Sequence, residues 1–153
     1  MELFEARFEL PCSIEEVFDL VIRPEGIKQV SPPEMGLFFT SSPDRYALGS
    51  RITFKVQAMG LVRELVHEVT AFDDPYSFTE AQVSGPFRSW IHEHVFEARE
   101  GGGAIVIDRI RFLPPGGVAG MIMTASRIRE NLEDGFEYRH EQLERHFRSV
   151  AGS

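Results

Sequence analysis

Cysteine is nearly missing from this chain. Cys12 is the only one, so no internal disulfide can form and a reducing compartment is compatible. It follows Pro11 with no histidine nearby in sequence, which reads as a structural thiol rather than a nucleophile. Basic residues are scarce relative to acids. Against 24 Asp and Glu stand 16 Lys and Arg, for a net charge of −8. That balance argues against a nucleic-acid or anionic-membrane surface, which would need a basic footprint. No stretch approaches about 20 consecutive apolar residues, so no membrane span is expected. Met1-Glu2-Leu3-Phe4-Glu5 lacks the basic and apolar runs of a secretion signal. A soluble, cytoplasmic protein is therefore expected. There is no repeat, low-complexity segment or linker, and 153 residues suit a single domain over 1–153.

Proline is absent after Pro115, and that absence marks the most regular part of the chain. Pro114-Pro115-Gly116-Gly117 is a hard stop. Beyond it apolar residues recur at Met121, Ala125, Ile128, Leu132, Phe136, Leu143, Phe147 and Val150. Steps of three, four and seven keep one stripe of a helix. The spacing predicts one long helix over about 118–150. Glu141–Arg145 and Glu144–Arg148 are set i,i+4 on its outer faces.

The first part of the chain has a different period. Leu3, Phe8 and Leu10 mark a first strand that ends at Pro11. Ser13 and Glu16 form a capping box for a helix carrying Ile14, Val17, Phe18, Val21 and Ile22 on one face. Pro24 opens a second short helix, which Ser31-Pro32-Pro33 stops. A short strand follows at 37–40 and a loop at 41–48. Period-two runs then predict strands from 49 to 58, 61–72, 76–83, 87–98 and 104–113. The turns between them are Met59-Gly60, Asp73-Asp74-Pro75, Ser84-Gly85-Pro86 and the glycine-rich tip at 100–103. Gly101-Gly102-Gly103 precedes a strand rather than a helix, so it is no phosphate-binding loop. Short connections make neighbouring strands antiparallel. The class is α+β: a curved antiparallel sheet gripping a C-terminal helix.

This order resembles the helix-grip fold of the START and birch-pollen-allergen superfamily, in its SRPBCC ligand-binding branch. The resemblance covers nearly the whole chain. Its local pieces are 24–33 with the Ser-Pro-Pro ending, Gln82-x-x-Gly85-Pro86-Phe87, Trp90-x-His92-x-His94-x-Phe96, and 102–108 leading to Pro114-x-Gly116. Gly103-Ala104 stands where the family pattern would have Gly-Thr, so a hydroxyl at the sheet rim is absent. The resemblance implies a cavity between sheet and helix. Within that superfamily are lipid carriers, hormone receptors, polyketide cyclases and chaperone regulators.

The chemistry concentrates on 87–98. Trp90, His92, His94 and Phe96 share one face by the period-two rule, while Ile91, Glu93, Val95 and Glu97 share the other. Asp108 and Ile110 share a parity on the next strand, and Asp108 could meet a histidine across strands. Glu80 and Gln82 have the parity of Phe78 and could join the cluster. Three readings stay open: a structural polar network or a solvated rim, a polar patch in a ligand cavity, or catalysis or metal binding. A tetrahedral metal would need a third or fourth ligand, for which only Asp108 or Glu80 are candidates, and none is expected. His67, with charged neighbours on both sides, reads as exposed. Gly135 inside the helix either leaves room for a ligand or faces solvent. Met121-Ile122-Met123 would line a cavity mouth or fill a core gap.

The expected function is binding of a small hydrophobic or amphipathic molecule by Trp90, His92, His94, Phe96, Asp108, Ile110, Gln82, Leu132 and Phe136. No cofactor is expected. The alternatives are a cyclase or dehydratase, as the resemblance implies, with His92 or His94 as general acid-base and Asp108 as orienter, and a protein-interaction module. A homodimer is compatible with either.

Overall fold

The structure, a computed structural model, describes residues 1–58 and 60–151. The turn expected at Met59 and the side chain expected at the end of the helical stripe, Val150, fall outside what is described. The first strand, β1 (Glu2–Leu10), sends Phe4, Phe8 and Leu10 into the core. Leu3, one of the residues that marked this strand, is 48% exposed, because the buried parity belongs to even positions. Helix α1 (Ile14–Val21) starts at Ser13 with the full capping box. The Ser13 hydroxyl accepts from the Glu16 amide at 3.2 Å, and the Glu16 carboxylate accepts from the Ser13 amide at 3.2 Å. Helix α2 (Pro24–Gln29) carries its proline in the first turn, where no amide is needed. Both helices come after the first strand, as expected.

Six further strands complete one sheet: β2 (Phe38–Ser41), β3 (Arg51–Ala58), β4 (Leu61–Asp73), β5 (Ser77–Ser84), β6 (Ser89–Ala98) and β7 (Ala104–Leu113). Their spatial order is β1-β7-β6-β5-β4-β3-β2, and every neighbouring pair is antiparallel. The helix-grip class is therefore the architecture observed. β6 begins at Ser89 rather than 87. Phe87 stays in the turn because the Gln82 amide clamps it, donating to the Phe87 carbonyl at 2.7 Å and accepting from the Phe87 amide at 3.4 Å.

The long helix differs from its expected form. It is split into α3 (Gly117–Ile122) and α4 (Ala125–Ala151). Thr124 explains the break. Its hydroxyl accepts from the Arg127 amide at 3.3 Å and its carbonyl from the Ile128 amide at 3.0 Å, which makes it the N-cap of α4. Met121, expected on the stripe, is 78% exposed on α3 and lies off it. Of the two expected ion pairs, Glu144–Arg148 forms at 3.4 Å, while Glu141–Arg145 is not made among the described residues.

The 27 residues of α4 span roughly 40 Å at 1.5 Å each. The helix lies against β1: Phe136 packs on Phe4 with ring centres 5.6 Å apart, and His140 stacks on Phe8 at 4.5 Å. Its C-terminal half, through Leu143 and Phe147, joins the main core with Phe18, Phe78 and Phe96. Its N-terminal half, through Ile128 and Phe136, forms a second apolar cluster with Ile110 and Phe112. Cys12 is buried in the main core, and burial pushes its thiol up to about 12, consistent with a structural role.

Leu143 is fully buried, whereas Leu132 is only partly so. Leu143→Ala should cost about 2–5 kcal/mol in urea unfolding, the range for a core cavity. Leu132→Ala should cost about 1 kcal/mol or less, and Glu141→Gln within about 0.5 kcal/mol of nothing. Equal losses at 132 and 143 would contradict this placement of the stripe.

Candidate functional site

Four adjacent strands bring five titratable side chains into one row. Strand pairing sets His94 opposite Asp108, and His92 opposite both Glu80 and Ile110. His67 reaches the row from β4, beside an irregularity in the β4–β5 register between Val66 and His67. The groups alternate base and acid. His67 Nδ1 lies 3.3 Å from Glu80 Oε1, and Glu80 Oε2 lies 3.4 Å from His94 Nε2. His94 Nδ1 lies 3.1 Å from Asp108 Oδ1, and that same oxygen lies 2.8 Å from His92 Nε2. His94 Nε2 has no hydrogen-bond partner, so its 3.4 Å contact with Glu80 is one of charge. His67 Nε2 is likewise buried with no hydrogen-bond partner. The two β6 imidazoles stack at 3.6 Å between centres, and His94 stacks in turn on Phe78 at 4.0 Å.

Burial sets the protonation states, modified by these neighbours. Asp108 is 1% exposed. Burial alone would raise its carboxyl, but the hydrogen bonds from His92 and His94 outweigh this and hold it well below the usual range. Glu80 behaves the same way between His67 and His94. His92 is pushed down to about 4, first by burial and then by the neighbouring His94 charge. For His94 the pull of Asp108 and Glu80 exceeds the burial penalty, and its pKa is raised. His94 thus lies between two carboxylates that favour its charged form. His92 is neutral, and its Nε2–H donates to Asp108. Its Nδ1 is then a bare acceptor with no protein partner among the described residues.

The row borders a cavity of about 660 Å³ between the sheet and α4. Trp90, His92, His94, Ile110, Leu132 and Phe136 line it. Phe96, Asp108 and Gln82, also expected there, do not. Phe96 is packed in the core against Phe18 at 5.3 Å, since β6 runs past the end of the cavity. Asp108 sits behind the histidine rings, and Gln82 is occupied with the Phe87 turn. Gly135 lines the cavity, and a Cβ there would meet nothing within 4 Å. Met123 also lines it, whereas Met121 and Ile122 are exposed.

The expectation of an exposed His67 is overturned. It is 6% exposed and lines the cavity. Glu64 and Glu68 have the opposite parity, while His67 shares its own with buried Leu65 and Val69 and with Arg63, which also lines the cavity. That parity was the available signal. Tyr46 and Arg139 line the cavity too, and their sequence surroundings gave no signal. His92, His94 and Asp108 bring ligand atoms within 4.8 Å of one another, close enough for a metal ion. Mutual hydrogen bonding and charge pairing already account for those atoms.

A family model described as "Domain of unknown function (DUF8410)" matches residues 8–147. No curated protein matches the chain. Several solved structures share the fold. The protein TTHA0849 of Thermus thermophilus has 20% identity and a TM-score of 0.72, over 93% of this chain and 97% of that one. The major latex-like protein 151 of Panax ginseng has 14% identity and a TM-score of 0.68, over 95% and 97%. Ara h 8.0201 has 12% identity and a TM-score of 0.67, over 97% and 98%. These likenesses show the START and birch-pollen-allergen fold that the sequence resembles.

The protonation pattern predicts a pH dependence of stability. Between pH about 6.5 and about 4, unfolded His92 binds a proton that folded His92 does not, so stability falls as pH falls through that window. The contribution of His94 is fully present below about 6.5 and is lost on the alkaline side, as pH rises through its raised value. Glu80 and Asp108 lose theirs only below about 4. Urea midpoints should therefore drop from about pH 6 to about 4.5 in the native chain and stay nearly level in His92→Gln. Equal slopes would show that His92 is not held neutral.

Proposed function

The chain belongs to the DUF8410 family, and we propose that it is a binding protein for a small hydrophobic or amphipathic molecule held between the sheet and α4. The observation that carries this reading is the cavity itself. Its size suits a small molecule, and its walls join apolar side chains such as Ile110, Leu132 and Phe136 to one polar row. Apolar walls favour a hydrophobic body, while the bare Nδ1 of His92 offers an acceptor for a hydroxyl or N–H on it.

A second reading, an enzyme of the cyclase or dehydratase type, is favoured by the 2.8 Å contact between His92 and Asp108. A neutral imidazole with its Nε2–H held by a carboxylate can take a proton at Nδ1. Asp108 would then stabilise the imidazolium. His92 would be the base and Asp108 its positioning residue.

Native mass spectrometry of protein purified from its own host should retain a small molecule of defined mass. Trp90, the only tryptophan, lines the cavity and should report binding by a fluorescence change. A carrier predicts that His92→Ala weakens binding by about 1–3 kcal/mol and does nothing more. An enzyme predicts that the same change leaves affinity nearly intact while turnover falls by about 100-fold or more. If the host protein carries nothing and no apolar compound alters Trp90 emission, the binding reading fails.

Gly135 gives an independent test. Gly135→Leu should stabilise α4 by up to about 1 kcal/mol through helix propensity. It should also project into the cavity and abolish binding, so melting temperature and affinity move in opposite directions. A variant that is stabilised and still binds fully would place the ligand elsewhere.

A further inference from the structure

We infer that the cavity's occupant is a weak organic acid, an amphipathic carboxylate whose anionic end is held by Arg139. This rests on the binding reading above and names the chemistry of the ligand. Arg139 lines the cavity from α4 and is half-buried. Acids outnumber bases in this chain, yet Arg139 has no carboxylate at ion-pair distance among the described residues. On the same helix Arg129 reaches Glu2 at 3.5 Å and Arg148 reaches Glu144 at 3.4 Å, while Arg127 and Arg145, which have no ion pair among the described residues, lie outside the cavity lining. The helix denies Arg139 a local partner. The residues three and four positions away are Gly135, Phe136, Gln142 and Leu143, none of them acidic.

The surroundings orient this cation. Its guanidinium carbon lies over the Phe136 ring, 5.0 Å from the centroid, a cation–π contact that holds the cation at the cavity wall. Gly135, one turn earlier on the same face, leaves open space beside it. The phenol of Tyr46 is close enough to respond to Arg139. Burial and the Glu80 charge raise its pKa, and Arg139 pulls it the other way, so it stays a neutral O–H donor. Glu80 does not serve as the missing counter-ion, because His67 and His94 flank it on both oxygens. A partly desolvated guanidinium without an anion is costly, and a carboxylate meets its fork with two parallel hydrogen bonds. The apolar body then lies along Ile128, Leu132 and Ile110.

Decanoic acid and 1-decanol differ only in the group that Arg139 would hold. Both should be titrated at neutral pH against Trp90 fluorescence, below their aggregation limits. The native protein should prefer the acid by about 10-fold or more, the scale of a charge-assisted hydrogen bond. Arg139→Gln should remove that preference and leave the affinity for the alcohol unchanged. Arg139→Lys should restore part of it. Arg145→Gln is the control, since Arg145 lies exposed on the same helix outside the cavity lining and likewise has no ion pair among the described residues. Equal binding of acid and alcohol by the native protein overturns the inference and leaves the cavity reading standing. So does a preference that survives Arg139→Gln or vanishes in Arg145→Gln. Failure of both probes to bind would sink the cavity reading and this inference with it.

Discussion

A buried carboxylate constrains this sheet more than any apolar contact does. Asp108 sits at 1% exposure in the middle of β7, where an unpaired charge would cost several kcal/mol. It is tolerable only because two imidazoles meet it, His92 at 2.8 Å and His94 at 3.1 Å. Both come from β6, and only one register brings them there. A slip of one residue would turn His92 and His94 to the outer face and leave Asp108 alone. The polar row thus fixes the pairing of β6 and β7. Glu80 and His67 extend the same demand to β5 and β4.

The row also divides the molecule into a filled part and an open part. On one side of it, Phe78, Phe96 and Phe18 close the core, with Phe78 stacked directly on His94. On the other side α4 leans on β1 through Phe4 and Phe8, leaving the middle strands uncovered. The cavity is the space so left. Two adjacent features of α4 keep it accessible: Gly135 supplies no side chain, and Arg139 is stacked on Phe136. The arrangement joins an apolar hollow to fixed charges, and the proposed amphipathic ligand is drawn from that combination. Distant relatives of the fold share the frame at 20% identity or less, so chemistry specific to this chain lies in the side chains.

Much of this was legible in the residues. Turn composition placed nearly every strand boundary within a residue or two, because glycine, proline and aspartate pairs have few other uses. The capping box at Ser13 and Glu16 is a local interaction, and it formed as spaced. Parity put Trp90, His92 and His94 on one face, and it put Asp108 within reach of them. What went astray involved competition between a local pattern and something outside it. The stripe through Met121 suggested one helix, but Thr124 capped a new one. His67 looked exposed among its charged neighbours, yet alternation carried Glu64 and Glu68 to the other face and the histidine inward.

The sequence by itself determined the elements, their order and the face each side chain takes, since these follow from periods of two and 3.6 and from turn chemistry. Only the tertiary structure decided which of those side chains meet. Phe96, Asp108 and Gln82 have the parity of the cavity but not its position. Whether a residue faces a void, a core or a turn depends on where α4 crosses the sheet. That crossing is set by contacts such as Phe4 with Phe136, more than a hundred positions apart. Arg139 is the plainest case. In sequence it is one basic residue of an amphipathic helix, and it is singled out because the fold sets it beside Phe136, Gly135 and Tyr46 with no ion-pair partner among the described residues.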